Sequence, residues 1–261
     1  MTFTFIAALL YLLTAGLLLQ RTEPDASSPH KPAFFLAVNA VLCHALVHIL
    51  EVVSGTGLQL HFFAALSLVA LGMAALTTSV SLNQRMQALG IAVYPLAAVF
   101  VVLFYFLGDN QPTQLGWQLL MHAMLALLAY ATLAIASLLA LMLWFQERAL
   151  RNRKIHGWLR ALPPLVHMET LLFRTVGVGF ILLSFVLVTG MLFVDNMMAQ
   201  HLWHKTVLSV LSWIVFAGLL LGRWRYGWRG PRAVRLTLIA MSLLLLSYFG
   251  SRAVLEILGR V

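Results

Sequence analysis

Histidine is the residue type in this sequence whose spacing most clearly suggests chemistry. His44, His48 and Glu51 follow one another at intervals of four and three residues, so in a helix they form one stripe. A carboxylate one turn from an imidazole can accept its N–H, which fixes the tautomer and makes the other ring nitrogen a better ligand. The stripe could therefore bind haem iron or a divalent metal. The alternative is that both histidines hydrogen-bond to neighbouring helices, as polar residues in helical bundles do.

A second candidate is His122, which lies in the segment MHAMLALLAYATL. Tyr130 follows eight residues later and so lies near the same helical face, with Ala123, Ala126 and Ala129 close by. Small residues allow a helix or a planar ring to approach closely. His122 and Tyr130 are therefore candidate cofactor-binding residues. The alternative is a core histidine whose hydrogen bonds are satisfied within the bundle.

A third candidate is the segment HLWHKTVLSVLSW at residues 201–213, which combines histidines, tryptophans and one lysine. His204 is a candidate ligand, and Lys205 could meet an anionic group such as a propionate. Trp203 is either part of a binding surface or an ordinary aromatic residue at the membrane interface.

These residues must be positioned by helices that cross a membrane. Of 261 residues, 62% are apolar and 10% are charged, whereas soluble domains are about half apolar and a quarter charged. Runs of about 20 apolar residues, enough to cross ~30 Å of hydrocarbon, predict an all-α polytopic membrane bundle that forms one integral membrane domain over residues 1–261.

The first run lacks a basic segment before it and a cleavage site after it, so we interpret it as a retained helix. The eight predicted spans are Thr2–Gln20, Ala33–Val53, Leu60–Leu82, Ala88–Leu107, Leu115–Phe145, Glu169–Val194, Lys205–Leu221 and Val234–Leu258.

The loops alternate in charge. Lysine and arginine gather in the loops after odd-numbered helices, whereas the loops at 54–59, 108–114 and 195–204 contain neither. The positive-inside rule then places both termini and these three loops on the outer, periplasmic side of a bacterial inner membrane. The net charge of +9 therefore reflects orientation and contact with anionic membrane lipid, and it does not indicate nucleic-acid binding. In this orientation six of the nine histidines lie in the outer half: His44, His48, His61, His122, His201 and His204.

Several other chemistries are excluded. One cysteine, Cys43, cannot form an internal disulfide or a Cys-based zinc or iron–sulfur site, so redox chemistry would need a bound cofactor. The sequence contains no nucleotide-binding loop, no GxSxG and no HExxH. Acids are scarce in the predicted spans, with Glu51 the candidate intramembrane acid, which argues against a secondary transporter.

Two segments resemble a known family. MHAMLALLAYATLAIASLLALM, at residues 121–142, is similar to a helix of the cytochrome c assembly proteins, the CcsA, CcmC and HemX-like group, in which a tyrosine follows a histidine by eight residues. Residues 205–252 resemble that family's closing section, with Lys205 followed by Trp213, a GWRG turn at 227–230 and Ser-Tyr-Phe-Gly at 247–250. In length and helix number the chain is most similar to the YpjD-type inner-membrane branch. The assembly-like core then lies at roughly residues 115–258.

The resemblance implies haem handling at the outer face, because family members use a tryptophan-rich outer loop flanked by two histidines. His122 matches the first flanking histidine, whereas Leu221 occupies the position of the second. The family's loop ends in Trp-Asp-Pro-Lys, and here Trp203 and His204 replace the Asp and Pro while Lys205 is kept. These departures favour a protein that handles haem without being a catalyst.

The leading hypothesis is therefore a membrane haem-binding protein that holds or passes haem, with haem b as the candidate cofactor. Its proposed iron ligands are His122 and one of His44 or His48, with His204 as a substitute. The implied partners are haem, membrane lipid and a membrane or periplasmic protein. One alternative is a single-haem b-type electron-transfer subunit. Another is a haem-free scaffold or regulator of a transporter or a haem-synthesis enzyme, which the missing second histidine favours.

Overall fold

The computed structural model describes residues 2–20, 31–53, 60–81, 87–108, 116–152, 162–193 and 203–250. All regular secondary structure in these ranges is helical, and eight of the helices are long and apolar enough to cross a membrane. The predicted all-α polytopic bundle is therefore confirmed. A π-helical segment at Leu246–Gly250, called the π turn below, follows α8 directly. The α-helices are α1 (Thr2–Gln20), α2 (Lys31–Glu51), α3 (Phe62–Val80), α4 (Gln87–Leu107), α5 (Trp117–Arg151), α6 (Leu165–Phe193), α7 (Trp203–Tyr226) and α8 (Pro231–Leu245).

The helix ends differ from the predicted spans mainly where arginines follow the apolar run. α5 continues past its predicted end at Phe145 as far as Arg151, whose guanidinium lies 2.8 Å from the Glu147 carboxylate one turn earlier. Basic residues in a last turn also complement the negative end of the helix dipole. The apolar pattern thus marks the part of a helix that lies in hydrocarbon, whereas the helix itself extends beyond it. The predicted end of the last span, Leu258, lies outside the described residues.

The chain divides into two compact units. Unit 1 comprises residues 1–114 and 145–165, and unit 2 comprises residues 115–144 and 166–261. In unit 1, α1 packs against α2 and α4, while α3 packs against α4 and α2. Alanines are frequent on these faces, and they let the backbones approach, which is how helices associate where lipid is as apolar as leucine. Five that are essentially inaccessible are Ala7, Ala37, Ala40, Ala64 and Ala97.

In unit 2, α7 packs against α8 and the π turn. The Ser212 hydroxyl on α7 donates to the Ala240 carbonyl of α8 at 2.7 Å, and Ser212 is fully buried. Also in this unit, α6 approaches α5 at Gly179. A β-carbon there would collide with the fully buried side chain of Leu133, so glycine allows this close approach.

The GWRG motif forms the turn between α7 and α8. Gly227 and Gly230 both have positive φ, at 65° and 53°, a region that residues with a β-carbon rarely adopt. Trp228 folds back against α7 over Gly222, where a β-carbon would collide with the indole. The backbone N–H of Gly230 donates to the Glu169 carboxylate on α6 at 2.8 Å. Glycine is therefore needed at both ends of the motif, and the turn ties together three helices of unit 2.

Candidate functional site

A cavity of about 470 Å³ lies in unit 2, lined by α5, α6, α7 and the π turn. Pockets that hold small molecules and cofactors typically measure about 300–1,000 Å³ and are mainly apolar, with a few polar groups that orient the ligand. The lining here is mostly apolar as well. Four residues predicted to bind a cofactor line it, namely His122, Tyr130, Lys205 and Trp213. We call this cavity the His122 pocket.

The hydrogen bonds around His122 indicate which of its ring nitrogens carries the proton. Its Nδ1 lies 3.0 Å from the Thr189 hydroxyl on α6. That hydroxyl donates its single proton to the Phe185 carbonyl at 2.8 Å, with the Val186 carbonyl at 3.2 Å. With that proton directed to the carbonyl, Thr189 can accept from His122, an arrangement in which His122 carries its proton on Nδ1. Its Nε2 keeps an available lone pair, which is the arrangement found in metal-binding histidines.

A glycine beside Thr189 gives the imidazole room. A β-carbon on Gly190 would lie 3.2 Å from Cε1 of His122, which is closer than ordinary van der Waals contact. Sequence analysis identified neither Thr189 nor Gly190. Thr189 could have been found from its residue type, because a hydroxyl within an apolar span indicates a helix face turned towards other helices.

Trp213 forms a fixed wall of the pocket. Its indole N–H donates to the Ser184 hydroxyl at 2.8 Å, and the hydroxyl in turn donates to the Phe180 carbonyl at 2.8 Å. The ring of Phe180 stacks on the indole with centroids 5.2 Å apart and planes 26° from parallel. The tryptophan is therefore held by both its polar edge and one of its faces.

Tyr130 connects the pocket to the π turn. Its hydroxyl donates to the Leu244 carbonyl at 2.7 Å, and its ring meets Phe249 edge to face at a centroid distance of 5.6 Å. A π-helical turn shifts the backbone bonds of a helix by one residue and often occurs at functional sites. The Ser-Tyr-Phe-Gly motif at 247–250 forms most of this turn, and both Ser247 and Tyr248 line the pocket.

Lys205 brings a cationic side chain to the lining. The hydroxyl of Ser247 donates to the Lys205 carbonyl at 2.8 Å and lies 2.8 Å from the hydroxyl of Ser209. Because Ser247 has given its proton to the carbonyl, Ser209 is the donor of that second bond. These bonds hold the first turn of α7 against the π turn.

The residues of the His122 pocket fit a haem group. They provide an imidazole with an available Nε2, a tryptophan and a tyrosine beside a mainly apolar cavity, and a cation that suits a propionate. Histidine is the commonest protein ligand of haem iron, and the polarity of the surrounding pocket decides what the haem does. Trp203 and His204 begin α7, but their side chains lie outside the described residues. Their proposed contacts therefore stay predictions.

The predicted stripe of His44, His48 and Glu51 lies in unit 1, and its histidines contact neighbouring helices. Nε2 of His44 and Nε2 of His48 lie 2.9 Å and 3.0 Å from the same hydroxyl, that of Ser67 on α3. Nδ1 of His44 lies 3.3 Å from the Tyr11 hydroxyl on α1, and Nδ1 of His48 lies 4.0 Å from the Glu51 carboxylate. These are the contacts expected if the histidines hydrogen-bond within the bundle.

Across the described ranges, no group of three or more His, Cys, Asp and Glu side chains is placed to share a metal ion. His61, another histidine predicted near the outer face, caps the start of α3, where its Nδ1 accepts the Ala64 N–H at 3.4 Å. His122 and the pair His44 and His48 belong to different units, so their joint ligation of one iron stays a prediction.

Comparison with known proteins places this architecture in a family. The family model described as "Cytochrome C assembly protein" matches residues 31–259. The chain is 31% identical over 261 residues to "Inner membrane protein YpjD" of Escherichia coli K12, an alignment covering 98% of this chain and 99% of that one. It is 25% identical over 142 residues to "Cytochrome c biogenesis protein CcsA" of Chlamydomonas reinhardtii, covering 52% of this chain and 38% of that one. No solved structure matches the chain significantly.

The family match and the full-length similarity confirm the resemblance predicted from the sequence motifs. The eight helices capable of crossing a membrane agree with the location in the name of the Escherichia coli relative. The chain belongs to the cytochrome c assembly protein family and is a multi-pass protein of the bacterial inner membrane.

Proposed function

We propose that this protein handles haem in cytochrome c biogenesis by binding it in the His122 pocket. The observation that carries the proposal is the contact between Nδ1 of His122 and the Thr189 hydroxyl, because it directs Nδ1 to α6 and leaves Nε2 for an iron beside a largely apolar cavity. The family match and the relatives named as cytochrome c biogenesis proteins support the same role.

Each residue of the pocket has a distinct part in holding haem. His122 binds the iron, and Thr189 keeps its imidazole in the required tautomer. Trp213 and Tyr130 bound the space for the macrocycle, and Lys205 attracts a propionate. Bound haem would supply an iron centre whose behaviour depends on the axial ligand and the burial that the protein provides.

The position of the pocket within unit 2 suits a periplasmic site. His122 is near the start of α5, Gly190 near the end of α6 and Lys205 near the start of α7, so the pocket lies at one end of these helices. Arg223 and Arg225 occupy the last turn of α7 at its other end. By the positive-inside rule the arginines face the cytoplasm and the pocket faces the periplasm.

The protein holds or passes haem, and we do not assign it a catalytic step. The position where the family's second flanking histidine would fall is Leu221, whose side chain is exposed on α7. Within unit 2, the residue predicted from sequence that could hold the iron together with His122 is His204 on α7. A haem-free scaffold is the second candidate function, and Leu221 is the observation that favours it.

An absorption spectrum tests the proposal. The protein is purified in detergent from haem-replete cells, and spectra are recorded oxidised and dithionite-reduced, with a pyridine haemochrome assay for stoichiometry. We expect a b-type spectrum that is lost in His122→Ala and retained in His167→Ala, a control near the start of α6 and far from the pocket. A colourless protein that also takes up no added haemin would contradict the proposal and favour the scaffold.

A further inference from the structure

The two ends of the His122 pocket differ in the polar groups that they offer to a ligand. At one end, Lys205 and Ser209 line the pocket from the first two turns of α7, and Ser247 lines it from the π turn. The Ser247 hydroxyl lies 2.8 Å from the Lys205 carbonyl and 2.8 Å from the Ser209 hydroxyl, so the three residues are neighbours. We call this part of the pocket the Lys205 end. Its lysine gives it a positive charge.

The opposite end is lined by Tyr130, Ser184 and Trp213, and we call it the Trp213 end. The Tyr130 hydroxyl donates to the Leu244 carbonyl at 2.7 Å. The Trp213 indole N–H donates to the Ser184 hydroxyl, which donates in turn to the Phe180 carbonyl, both at 2.8 Å. A tyrosine or serine hydroxyl and an indole each carry one polar hydrogen. These three side chains therefore have no hydrogen left to donate to a ligand.

His122 lies between the two ends. Its ring contacts Thr189, which follows Ser184 by five residues on α6, or about 7–8 Å along the helix. Ser184 is bonded to Trp213, and Lys205 precedes Trp213 by eight residues on α7, or about 12 Å. Because α6 and α7 run in opposite directions, Thr189 and Lys205 lie on the same side of the bonded pair. The imidazole is therefore nearer to the middle of the pocket than Lys205 or Trp213 is.

This asymmetry matters for haem, because the substituents of haem are also asymmetric. Its propionates are on one edge of the macrocycle and its vinyl groups are on the other. A carboxylate at the Trp213 end would receive no hydrogen bond from the side chains that line it, and burying an unpaired carboxylate is very costly. At the Lys205 end it meets an ammonium group, and hydrogen bonds between opposite charges are stronger than neutral ones. The vinyl edge, which is apolar, suits the Trp213 end.

We propose that the His122 pocket binds haem in one orientation, with the propionates at the Lys205 end and the vinyl edge enclosed at the Trp213 end. This inference rests on the proposed haem binding, and it adds a substrate preference. The pocket selects iron porphyrins whose acidic groups are confined to one edge. The hydrogen bonds that occupy Tyr130, Ser184 and Trp213 determine the preference as much as the charge of Lys205 does, because they leave the Trp213 end without a donor.

The orientation also bears on what the protein does with haem. The start of α7 is the end of the pocket that the positive-inside rule places towards the periplasm, and Trp213 lies about 12 Å further along the helix. The vinyl groups of bound haem are then turned away from the periplasm and from any thiol there. A protein that holds haem in this way passes it on intact, and thioether formation has to follow its release.

A set of porphyrins tests the orientation. Each is titrated into the purified apoprotein in detergent, and the dissociation constant is measured from the Soret absorbance. Mesohaemin, which has ethyl groups in place of the vinyl groups, should bind as haemin does. Haemin dimethyl ester, which lacks the carboxylates, should bind about tenfold more weakly. Deuterohaemin disulfonate, which has sulfonates in place of the vinyl groups, should bind at least about a hundredfold more weakly, because it places charges at both edges.

A substitution at Lys205 links this preference to the pocket. Lys205→Met removes the charge but keeps the length of the side chain, and it leaves the backbone carbonyl that accepts from Ser247. We expect it to weaken haemin binding about tenfold, to leave binding of the dimethyl ester unchanged and to leave the helical content unchanged. Lys31→Met is the matched control, because Lys31 is an exposed lysine at the start of α2 in unit 1, and it should bind every porphyrin as the unmodified chain does.

The results separate this inference from the proposed function. An unmodified chain that binds no haemin would refute the proposed function and the orientation together. Haemin binding with equal affinity for the dimethyl ester and the disulfonate would overturn the orientation alone. Binding of the disulfonate as tight as that of haemin would also overturn it, since the vinyl edge would then lie at the Lys205 end. A Lys205→Met variant that weakens haemin and its dimethyl ester equally would show that the lysine does not meet the propionates, and this too would overturn it.

Discussion

The replacement of Thr189 by valine tests the geometry of the His122 pocket directly. Valine has nearly the shape of threonine but lacks the hydroxyl that accepts the Nδ1 proton of His122 at 3.0 Å. Thr189 receives this bond because its own proton is committed to the Phe185 carbonyl at 2.8 Å. In the variant the N–H loses its acceptor, and the imidazole is no longer held in the tautomer that exposes Nε2. We therefore expect weaker haem binding with little change in packing.

The size of the effect follows from the bond that is lost. Leaving a partly buried N–H without an acceptor costs about 1–3 kcal/mol. Removing the partner that orients a metal-binding histidine typically lowers affinity by about 10- to 100-fold, which corresponds to about 1.4–2.7 kcal/mol. The two ranges overlap because both describe the same hydrogen bond. Thr189→Val should accordingly raise the dissociation constant for haem by about one to two orders of magnitude.

Titration of the apoprotein with haemin, followed by the Soret absorbance in detergent, measures this constant. Thr189→Ser is the matched control, because it keeps the hydroxyl and should bind haemin nearly as the unmodified protein does. Nitrogen NMR of labelled histidine gives an independent reading, since His122 should show the Nδ1–H form in the unmodified protein and a mixture in Thr189→Val. Unchanged affinity in Thr189→Val, together with loss of binding in His122→Ala, would refute the orienting role of Thr189.

Three further substitutions, one of them with a matched control, test other contacts within unit 2. Gly179→Ala should lower the thermal unfolding temperature in detergent, because the new methyl group collides with the side chain of Leu133 on α5. Gly177→Ala is the control: a methyl group there meets nothing within 4 Å, so the unfolding temperature should stay unchanged or rise slightly. Tyr130→Phe should destabilise the protein by about 1–3 kcal/mol in chemical unfolding, since a buried carbonyl loses its donor, and an unaltered midpoint would contradict this bond. Gly190→Ala should displace the His122 ring and weaken haemin binding, and equal affinity would show that the ring has room to move.

Sequence analysis located the helices well and the relations between them poorly. The first predicted span, Thr2–Gln20, coincides with α1, and Tyr130 and His122 do share one cavity. Both results follow from rules that act within one segment, since a span has a set length and a helix has a set period. Neither rule tells which residues of a neighbouring helix contact a given helix face. Ser67, which bonds both histidines of α2, could not be found because nothing in a single sequence links positions 19 and 23 residues away across a loop.

The amino-acid sequence by itself determined that this is an all-helical membrane protein, because runs of about 20 apolar residues can satisfy all their own backbone hydrogen bonds in hydrocarbon as helices. Its motifs indicated the family, and its histidines and aromatic residues indicated which helices would carry function. The tertiary structure decided what each polar side chain does. Nδ1 of His122 meets the hydroxyl of Thr189, 67 residues later in the chain, and that hydroxyl also contacts the Phe185 carbonyl. That pairing depends on how α6 lies against α5, which no local pattern encodes.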